Sequence, residues 1–188
     1  MGAQGAVDMA EASTLARMSD DAADLTAPDF ETPATRALAG TGLAYELRAS
    51  GSPRSVEEAA AIQGVPVASI LRTIVVRRGA DDYLFVLVPG GRRIRWPRLR
   101  SLLGISRMSL PDADEARAVT GYERGTITPF GATTAWPIVA DAMLVGAGRV
   151  VLGGGRRGVT LHVGADELLA YTGAIVADVS DPGAEGAD

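Results

Sequence analysis

The feature that most constrains the fold of this sequence is a series of short segments. They alternate between strand-like and helix-like patterns, and glycine or proline ends each one. Residues 70–76 and 83–88 are rich in β-branched and apolar side chains and flank 79–82, so they predict a β-hairpin. Strands dominate the middle of the sequence and helices flank them. This order predicts a mixed α/β or α+β domain built on one curved sheet. Further strands are predicted at residues 43–47, 93–96, 137–139, 149–152 and 159–163.

Capping residues mark the boundaries of the flanking helices. Ser55 and Glu58 have the spacing of a capping box, in which the two side chains satisfy early helical amides, and Gly64 ends that helix. Pro97 suits a first helical position, and Gly104 closes the helix that it opens. Other helices are predicted from Pro111 and Asp112 to Gly121, at residues 35–39 and at residues 166–171.

Charge divides the sequence into three parts. Residues 1–32 carry a net charge of −6, residues 178–188 carry −4, and residues 33–177 carry +5. The two acidic ends are poor in large apolar residues, so we expect them to be disordered tails around a single domain at residues 33–177. The basic domain suits an anionic partner, although its arginines could equally form a solvated surface.

Two scarce residue types exclude whole classes of chemistry. Cysteine is absent, which removes disulfides, thiolate zinc sites, iron–sulfur clusters and cysteine nucleophiles. The single histidine, His162, excludes any metal site that needs two imidazoles. No apolar run approaches the ~20 residues of a membrane helix, and no signal-peptide pattern opens the sequence. The sequence predicts a cytoplasmic protein without membrane contact.

A glycine-rich turn occupies residues 153–158, and it matches the dinucleotide pattern G-x-G-x-x-G. A dinucleotide site requires a helix next, but residues 159–163 alternate like a strand, so that interpretation fails. Two interpretations remain: an ordinary glycine hairpin, or a nest of backbone amides in which Arg156 and Arg157 hold a phosphate.

A second stretch, residues 121–131, holds three glycines, two threonines and a Pro-Phe pair. Such a loop allows a backbone to approach a ligand closely, and the same composition also builds ordinary tight turns. A third stretch has five arginines within residues 92–100. It forms either a solvated face or a surface that follows a nucleic-acid backbone.

The order of these segments resembles that of a known family. Ile70-Leu-Arg-Thr-Ile-Val-Val76 precedes Val86-Leu-Val-Pro-Gly90 and the arginine run, and the loop 121–131, residues 137–141 and the glycine turn follow. This string is similar to the YbaK family, the aminoacyl-tRNA deacylases related to the editing domain of prolyl-tRNA synthetases. The resemblance covers residues 33–177 and leaves out both acidic ends.

The resemblance implies a single α/β editing domain with a mixed, partly barrel-like sheet flanked by helices. It also implies hydrolysis of the ester between a wrong amino acid and tRNA, usually tRNA for proline, without a metal or cofactor. Mischarged aminoacyl-tRNA would be its partner, together with an aminoacyl-tRNA synthetase. By position, Arg72 matches the family's signature lysine, Thr73 the hydroxyl beside it, and Gly125 the glycine facing the scissile ester. The substrate-binding residues that the resemblance implies are Ser50, Thr126, Thr128, Pro129, Phe130, Gly131, Gly153, Gly154, Gly155, Arg156 and Thr160.

The sequence departs from the family pattern at several of these positions. Arg72 replaces a compact ammonium with a planar fork, and Thr126 replaces a second glycine in the loop. Thr160 stands where some members have an acid, and Ser50 where a pocket tyrosine is usual. Two alternatives therefore stay open: a non-catalytic module of the same fold that binds tRNA or a synthetase, and an esterase for another small molecule.

Overall fold

The computed structural model describes residues 31–183, and the domain contains five α-helices and nine strands within that range. Two short 3₁₀ turns, at Val67–Ser69 and Ala142–Leu144, complete the regular structure. The elements in chain order are α1 (Pro33–Leu38), β1 (Tyr45–Ala49), α2 (Val56–Gln63), β2 (Leu71–Gly79), β3 (Asp82–Pro89), β4 (Arg92–Ile94), α3 (Trp96–Leu103), α4 (Ala113–Thr120), β5 (Ile138–Asp141), β6 (Arg149–Gly153), β7 (Val159–Gly164), α5 (Ala165–Thr172), β8 (Ile175–Ala177) and β9 (Ser180–Pro182).

The strands form three sheets instead of the single sheet expected. The first has the order β2-β3-β5-β8, in which β2 and β3 are antiparallel and the other two pairs are parallel. The second is an antiparallel sheet of order β1-β7-β6, and the third pairs β4 with β9. A parallel bridge between Ile70 and Val151 joins the first two sheets at one point. The mixed α/β class predicted from the sequence is confirmed.

Local sequence signals explain where these elements begin and end. The β2–β3 hairpin turns at Ala80 and Asp81, and Asp81 has a φ of +52°, a left-handed conformation that aspartate tolerates. Ser55 caps α2 by accepting a hydrogen bond from the Glu58 amide at 3.1 Å. The Glu58 carboxylate accepts from the Arg54 amide at 2.7 Å, so only half of the expected capping box forms.

The central strand β3 lies in the interior along most of its length. Its residues Tyr83 to Pro89 are all buried, because β2 and β5 pair with its two edges and apolar clusters cover its two faces. Leu87 belongs to the cluster under β6 and β7, whereas Val86 and Val88 belong to the cluster under α3. The sequence of a strand that is buried on both faces is a nearly continuous run of apolar residues, and residues 83–88 have such a sequence.

The carboxyl-terminal boundary of the domain differs from the one expected at residue 177. Ser180–Pro182 forms β9 and pairs with β4, and Val179 and Ser180 are both buried. The Val179 amide donates to Asp141 Oδ2 at 3.2 Å, and the Arg92 guanidinium donates to Ser180 Oγ at 2.7 Å. A short acidic stretch therefore completes the fold, because its backbone supplies a strand.

The expected amino-terminal tail, residues 1–32, lies outside the described residues except for Glu31 and Thr32, and residues 184–188 also lie outside them. Thr32 is buried and caps α1, so the fold begins one residue earlier than the expected boundary. Within residues 31–183, no helix is long and apolar enough to cross a membrane.

Candidate functional site

A cleft opens where β2 and β6 diverge beyond the bridge between Ile70 and Val151. Both bridge residues and the residues that follow them on each strand, up to Val75 and Gly153, line it. The loop containing Gly125 lines it as well, together with residues before α2 and α4. The cleft has a volume of about 1200 Å³, large enough for a small ligand or the end of a longer chain.

Arg72 and Thr73 line this cleft, and each has a buried polar atom without a hydrogen-bond partner among the described residues. One guanidinium nitrogen of Arg72 donates to the Arg92 carbonyl at 2.5 Å, which ties β2 to β4. Arg72 Nε and Thr73 Oγ1 are buried, and neither has a hydrogen-bond partner among residues 31–183. A buried polar group without a partner costs about 1–3 kcal/mol, so a bound ligand that satisfied these atoms would gain in affinity.

The loop that carries Gly125 depends on glycines for its position. Gly125 has a φ of +88°, and a Cβ added there would meet no atom within 4 Å, so its open side faces the cleft. Gly153 on β6 lies against the loop backbone, since an added Cβ would stand 2.8 Å from the Thr126 carbonyl oxygen. Gly153 thus allows the loop to pack onto β6, while Gly125 leaves space beside β2.

Positive charge predominates along the cleft. Five arginines line it, whereas Asp112 is the only acidic residue among the described residues that do so. Arg157 is paired with Glu123 at 2.8 Å, and this pairing lowers the pKa of the Glu123 carboxyl. The excess of cations suits an anionic ligand such as a phosphate-bearing chain. These arginines are Arg72, Arg93, Arg124, Arg156 and Arg157.

The structure brings eight of the fourteen candidate residues to this cleft. They are Ser50, Arg72, Thr73, Gly125, Thr126, Gly153, Arg156 and Thr160. Three of their hydroxyls are already bonded to the protein: Thr126 Oγ1 donates to the Glu123 carbonyl at 2.9 Å, Thr160 Oγ1 to the Arg48 carbonyl at 3.2 Å, and Ser50 Oγ to the Gly51 carbonyl at 3.5 Å.

The other six candidates do not line the cleft. Phe130 is buried in the core, and a Cβ on Gly131 would collide with the Pro33 carbonyl. Gly154 and Gly155 are similarly close to Val159 and Tyr122, so these glycines permit close packing. The Thr128 hydroxyl is buried without a partner among the described residues, and Pro129 is half-buried. In this structure the six residues shape the surroundings of the cleft.

Tyr122 contributes to the site indirectly, and the sequence did not single it out. Its hydroxyl donates to the Phe130 carbonyl at 2.6 Å and so closes the loop on itself. Burial raises the pKa of Tyr122 to about 12, so it stays protonated and keeps this bond. Further lining residues that the sequence did not single out include Gln63, Ile74, Trp96 and Asp112. They come from separate elements, and no local pattern marks them as neighbours.

The arginine run at residues 92–100 divides between different surroundings. Arg93 lines the cleft, whereas Arg95 and Arg98 lie near Asp178, at 3.8 Å and 3.7 Å. His162 is buried away from the cleft lining, and burial lowers its pKa to about 4. Among residues 31–183, no group of histidine, aspartate and glutamate side chains could hold a metal ion.

Together, the fold and the site define a mixed α/β domain with a cationic cleft that is bordered by glycine-containing loops. Comparison with known families then identifies it: the chain belongs to the aminoacyl-tRNA editing domain family, whose model matches residues 52–171. The family resemblance drawn from the sequence is confirmed.

Two proline–tRNA ligases are similar in sequence to part of this chain. A proline–tRNA ligase of Thermosipho africanus is 29% identical over 133 residues, which are 69% of this chain and 23% of that protein. A proline–tRNA ligase of Desulfovibrio desulfuricans is 34% identical over 58% of this chain and 19% of its own length. The chain therefore spans about a fifth of the length of these curated relatives.

Two solved structures have similar size and fold. One, described as a candidate trans-editing enzyme for prolyl-tRNA synthetase, superposes with a TM-score of 0.71 at 28% identity. The match covers 82% of this chain and 98% of that one. The other, a hypothetical protein, gives a TM-score of 0.74 at 32% identity and covers 79% of this chain and 99% of its own.

Proposed function

We propose that this protein is a trans-editing hydrolase that deacylates mischarged aminoacyl-tRNA, of the type accepted by prolyl-tRNA synthetase. The observation that carries the proposal is that Arg72, Thr73 and Gly125, from distant parts of the sequence, line one cationic cleft. The proline–tRNA ligase relatives and the candidate trans-editing structure support the tRNA type.

The proposed reaction is hydrolysis of an ester. The oxygen of a water molecule adds to the ester carbonyl carbon, and the bond from that carbon to the ribose oxygen breaks. One water proton is transferred to the ribose oxygen, so the products are a free amino acid and tRNA with its terminal hydroxyl restored. Because an aminoacyl ester is already activated, positioning and electrostatic stabilisation supply the catalysis in this proposal.

Two of these residues, Arg72 and Gly125, have roles that their surroundings support. Arg72 Nε is a buried donor without a partner among the described residues, so it suits a phosphate or carbonyl oxygen of the substrate. Gly125 leaves room for the ester and the attacking water beside its backbone. Arg93 and Arg124 line the same cleft and would attract the tRNA acceptor end.

A panel of aminoacyl-tRNAs tests this function directly. Purified full-length protein is incubated with alanyl-, seryl-, cysteinyl- and prolyl-tRNAPro, and with one alanyl-tRNAAla control, while release of the amino acid is timed. We expect faster release from at least one mischarged tRNAPro than from prolyl-tRNAPro. Tight tRNA binding without release would instead support the non-catalytic module, and neither binding nor release would refute both.

A further inference from the structure

The outer edge of β2 has no strand partner where it lines the cleft. On its other side β2 pairs with β3, from Leu71 to Gly79. On the outer side, among residues 31–183, the Ile70–Val151 bridge stands at one end and the Arg77–Ser109 bridge at the other. Between these two bridges the strand presents an open edge, and residues 71–75 of that edge line the cleft.

Strand alternation identifies which backbone groups point outward from this edge. Arg77 exchanges two hydrogen bonds with Ser109, at 2.9 Å and 3.1 Å, so its N–H and C=O point away from β3. In an antiparallel ladder every second residue points the same way, which places the N–H and C=O of Val75 and Thr73 outward as well. Neither residue makes an outward backbone hydrogen bond within the described part of the chain.

A strand residue whose outward N–H and C=O are both without a partner offers one donor and one acceptor side by side. An aminoacyl ester offers the complementary pair, since its α-ammonium group donates and its carbonyl oxygen accepts. Main-chain pairing of this type is how strand edges bind extended peptides. The amino-acid part of the substrate can make both bonds at once.

We propose that the aminoacyl group binds the edge of β2 at Thr73 as one residue of an added strand. The Thr73 carbonyl accepts from the α-ammonium group, and the Thr73 N–H donates to the ester carbonyl oxygen and to the negative charge that develops there. This inference rests on the proposed deacylase function and names the backbone groups that position its substrate.

The backbone role is separable from that of the Thr73 side chain. Side chains of a strand alternate between the two faces of a sheet, whereas outward N–H and C=O groups lie in its plane. The side chain of Thr73 therefore lies on the same face as those of Leu71 and Val75. Leu71 belongs to the apolar cluster under β6 and β7, and Val75 clusters with Tyr83 and Phe85 of β3. Replacing the hydroxyl leaves the edge intact, and removing the N–H leaves the face largely intact.

Two variants of the full-length protein distinguish these roles. Thr73→Pro removes the outward N–H, which breaks no ladder hydrogen bond, and proline is tolerated at open edges for that reason. Thr73→Val removes only the hydroxyl and keeps the N–H. We expect Thr73→Pro to lower kcat of deacylation by about 100-fold, as for the loss of one donor to a developing oxyanion. We expect Thr73→Val to lower it by less than about tenfold. Equal losses in the two folded variants would overturn the proposal.

A second measurement does not depend on turnover or on the folding of the proline variant. The 15N-labelled wild-type protein is titrated with 3′-alanylamino-adenosine, in which a stable amide replaces the ester. Binding at the edge should shift the amide resonances of Thr73 and Val75 and slow exchange of their hydrogens, while Arg72 and Ile74, bonded to β3, change less. Binding without these changes would refute the edge as the docking position. If these changes occur but no turnover is measured, the deacylase function is refuted, whereas binding of the aminoacyl group at the β2 edge is supported.

Discussion

Gln63 at the end of α2 is hydrogen-bonded to His162 in the middle of β7, with 2.8 Å between Gln63 Oε1 and His162 Nε2. The Gln63 amide nitrogen donates to the Ala49 carbonyl at 2.8 Å, so its oxygen faces the ring and accepts from His162 Nε2–H. This chain of bonds joins α2, β1 and β7 behind the cleft, which Gln63 itself lines. The single histidine of the sequence is therefore a structural residue.

The neutral His162 predicts a specific loss of stability in mild acid. Its pKa falls from 6.5 to about 4 in the fold because burial disfavours the charged ring; Arg48 and Arg149 add to this effect and Glu46 opposes it. Between pH 6.5 and 4 the unfolded chain binds more protons than the native one, so stability falls as pH falls through this window. The free energy of unfolding should decrease by on the order of 3 kcal/mol from this group.

Urea denaturation at several pH values measures this effect. The variant His162→Gln has no titrating group at this position, whereas its carboxylates are the same as those of the wild type. Its stability should therefore change less between pH 6.5 and 4 than that of the wild type. Parallel curves for the two proteins would show that His162 does not hold a depressed pKa.

Arg72 is predicted to act in the cleft through its charge and its free donor. Arg72→Ala removes the buried Nε and should lower deacylation by about 10- to 1000-fold, the usual range for one electrostatic group. Arg78→Ala is the matched control, because Arg78 lies on the same strand, outside the cleft, and pairs with Asp82. Single-turnover rates measure both. If Arg72→Ala keeps full activity, the residue serves only to tie β2 to β4.

Gly125 is predicted to be required for space beside the substrate. Gly125→Ala places a methyl group in open space within the cleft, and its φ of +88° adds a strain of about 1–2 kcal/mol. Gly146→Ala has comparable strain, with a φ of +68°, and no neighbouring atom within 4 Å, but it lies away from the cleft. Both variants should melt a few degrees lower, and only Gly125→Ala should lose activity. Similar activities would mean that Gly125 matters only for backbone conformation.

The arginines of the cleft are predicted to supply the salt dependence of tRNA binding. Arg124→Ala should weaken binding and lower the slope of log K against log salt by about 0.7–0.9, the contribution of one phosphate contact. Arg98→Ala is the comparison, since Arg98 lies outside the cleft and near Asp178. Titrations at four salt concentrations give both slopes. An unchanged slope for Arg124→Ala would place the tRNA elsewhere on the surface.

The carboxyl-terminal strand is predicted to be part of the stable domain. Ending the chain after Ala177 removes β9 and the buried Val179, and it leaves Asp141 Oδ2 without the Val179 amide. The loss should exceed about 3 kcal/mol, from one buried side chain and one buried polar group. A chain that ends after Gly183 retains β9 and should unfold like the full-length protein. Thermal melting of the two truncated proteins provides the comparison.

Short-range signals in the sequence were sufficient for most of the elements. The hairpin around Asp81, the cap at Ser55 and the helix end at Gly104 were predictable because each depends on a few adjacent residues. The strand β9 was not predictable, since the acidic stretch has no strand pattern of its own. Its burial results from pairing with β4, about 88 residues earlier in the sequence.

The sequence by itself determined the class of fold, the family and a set of candidate residues, because these follow from local patterns and from the order of segments. Only the tertiary structure decided which candidates share a cleft: it brought Arg72 and Gly125 together and placed Phe130 in the core. The physical reason is that the cleft arises where two strands of different sheets diverge. That divergence depends on the Ile70–Val151 bridge and on loop packing against Gly153, which no single stretch of sequence encodes.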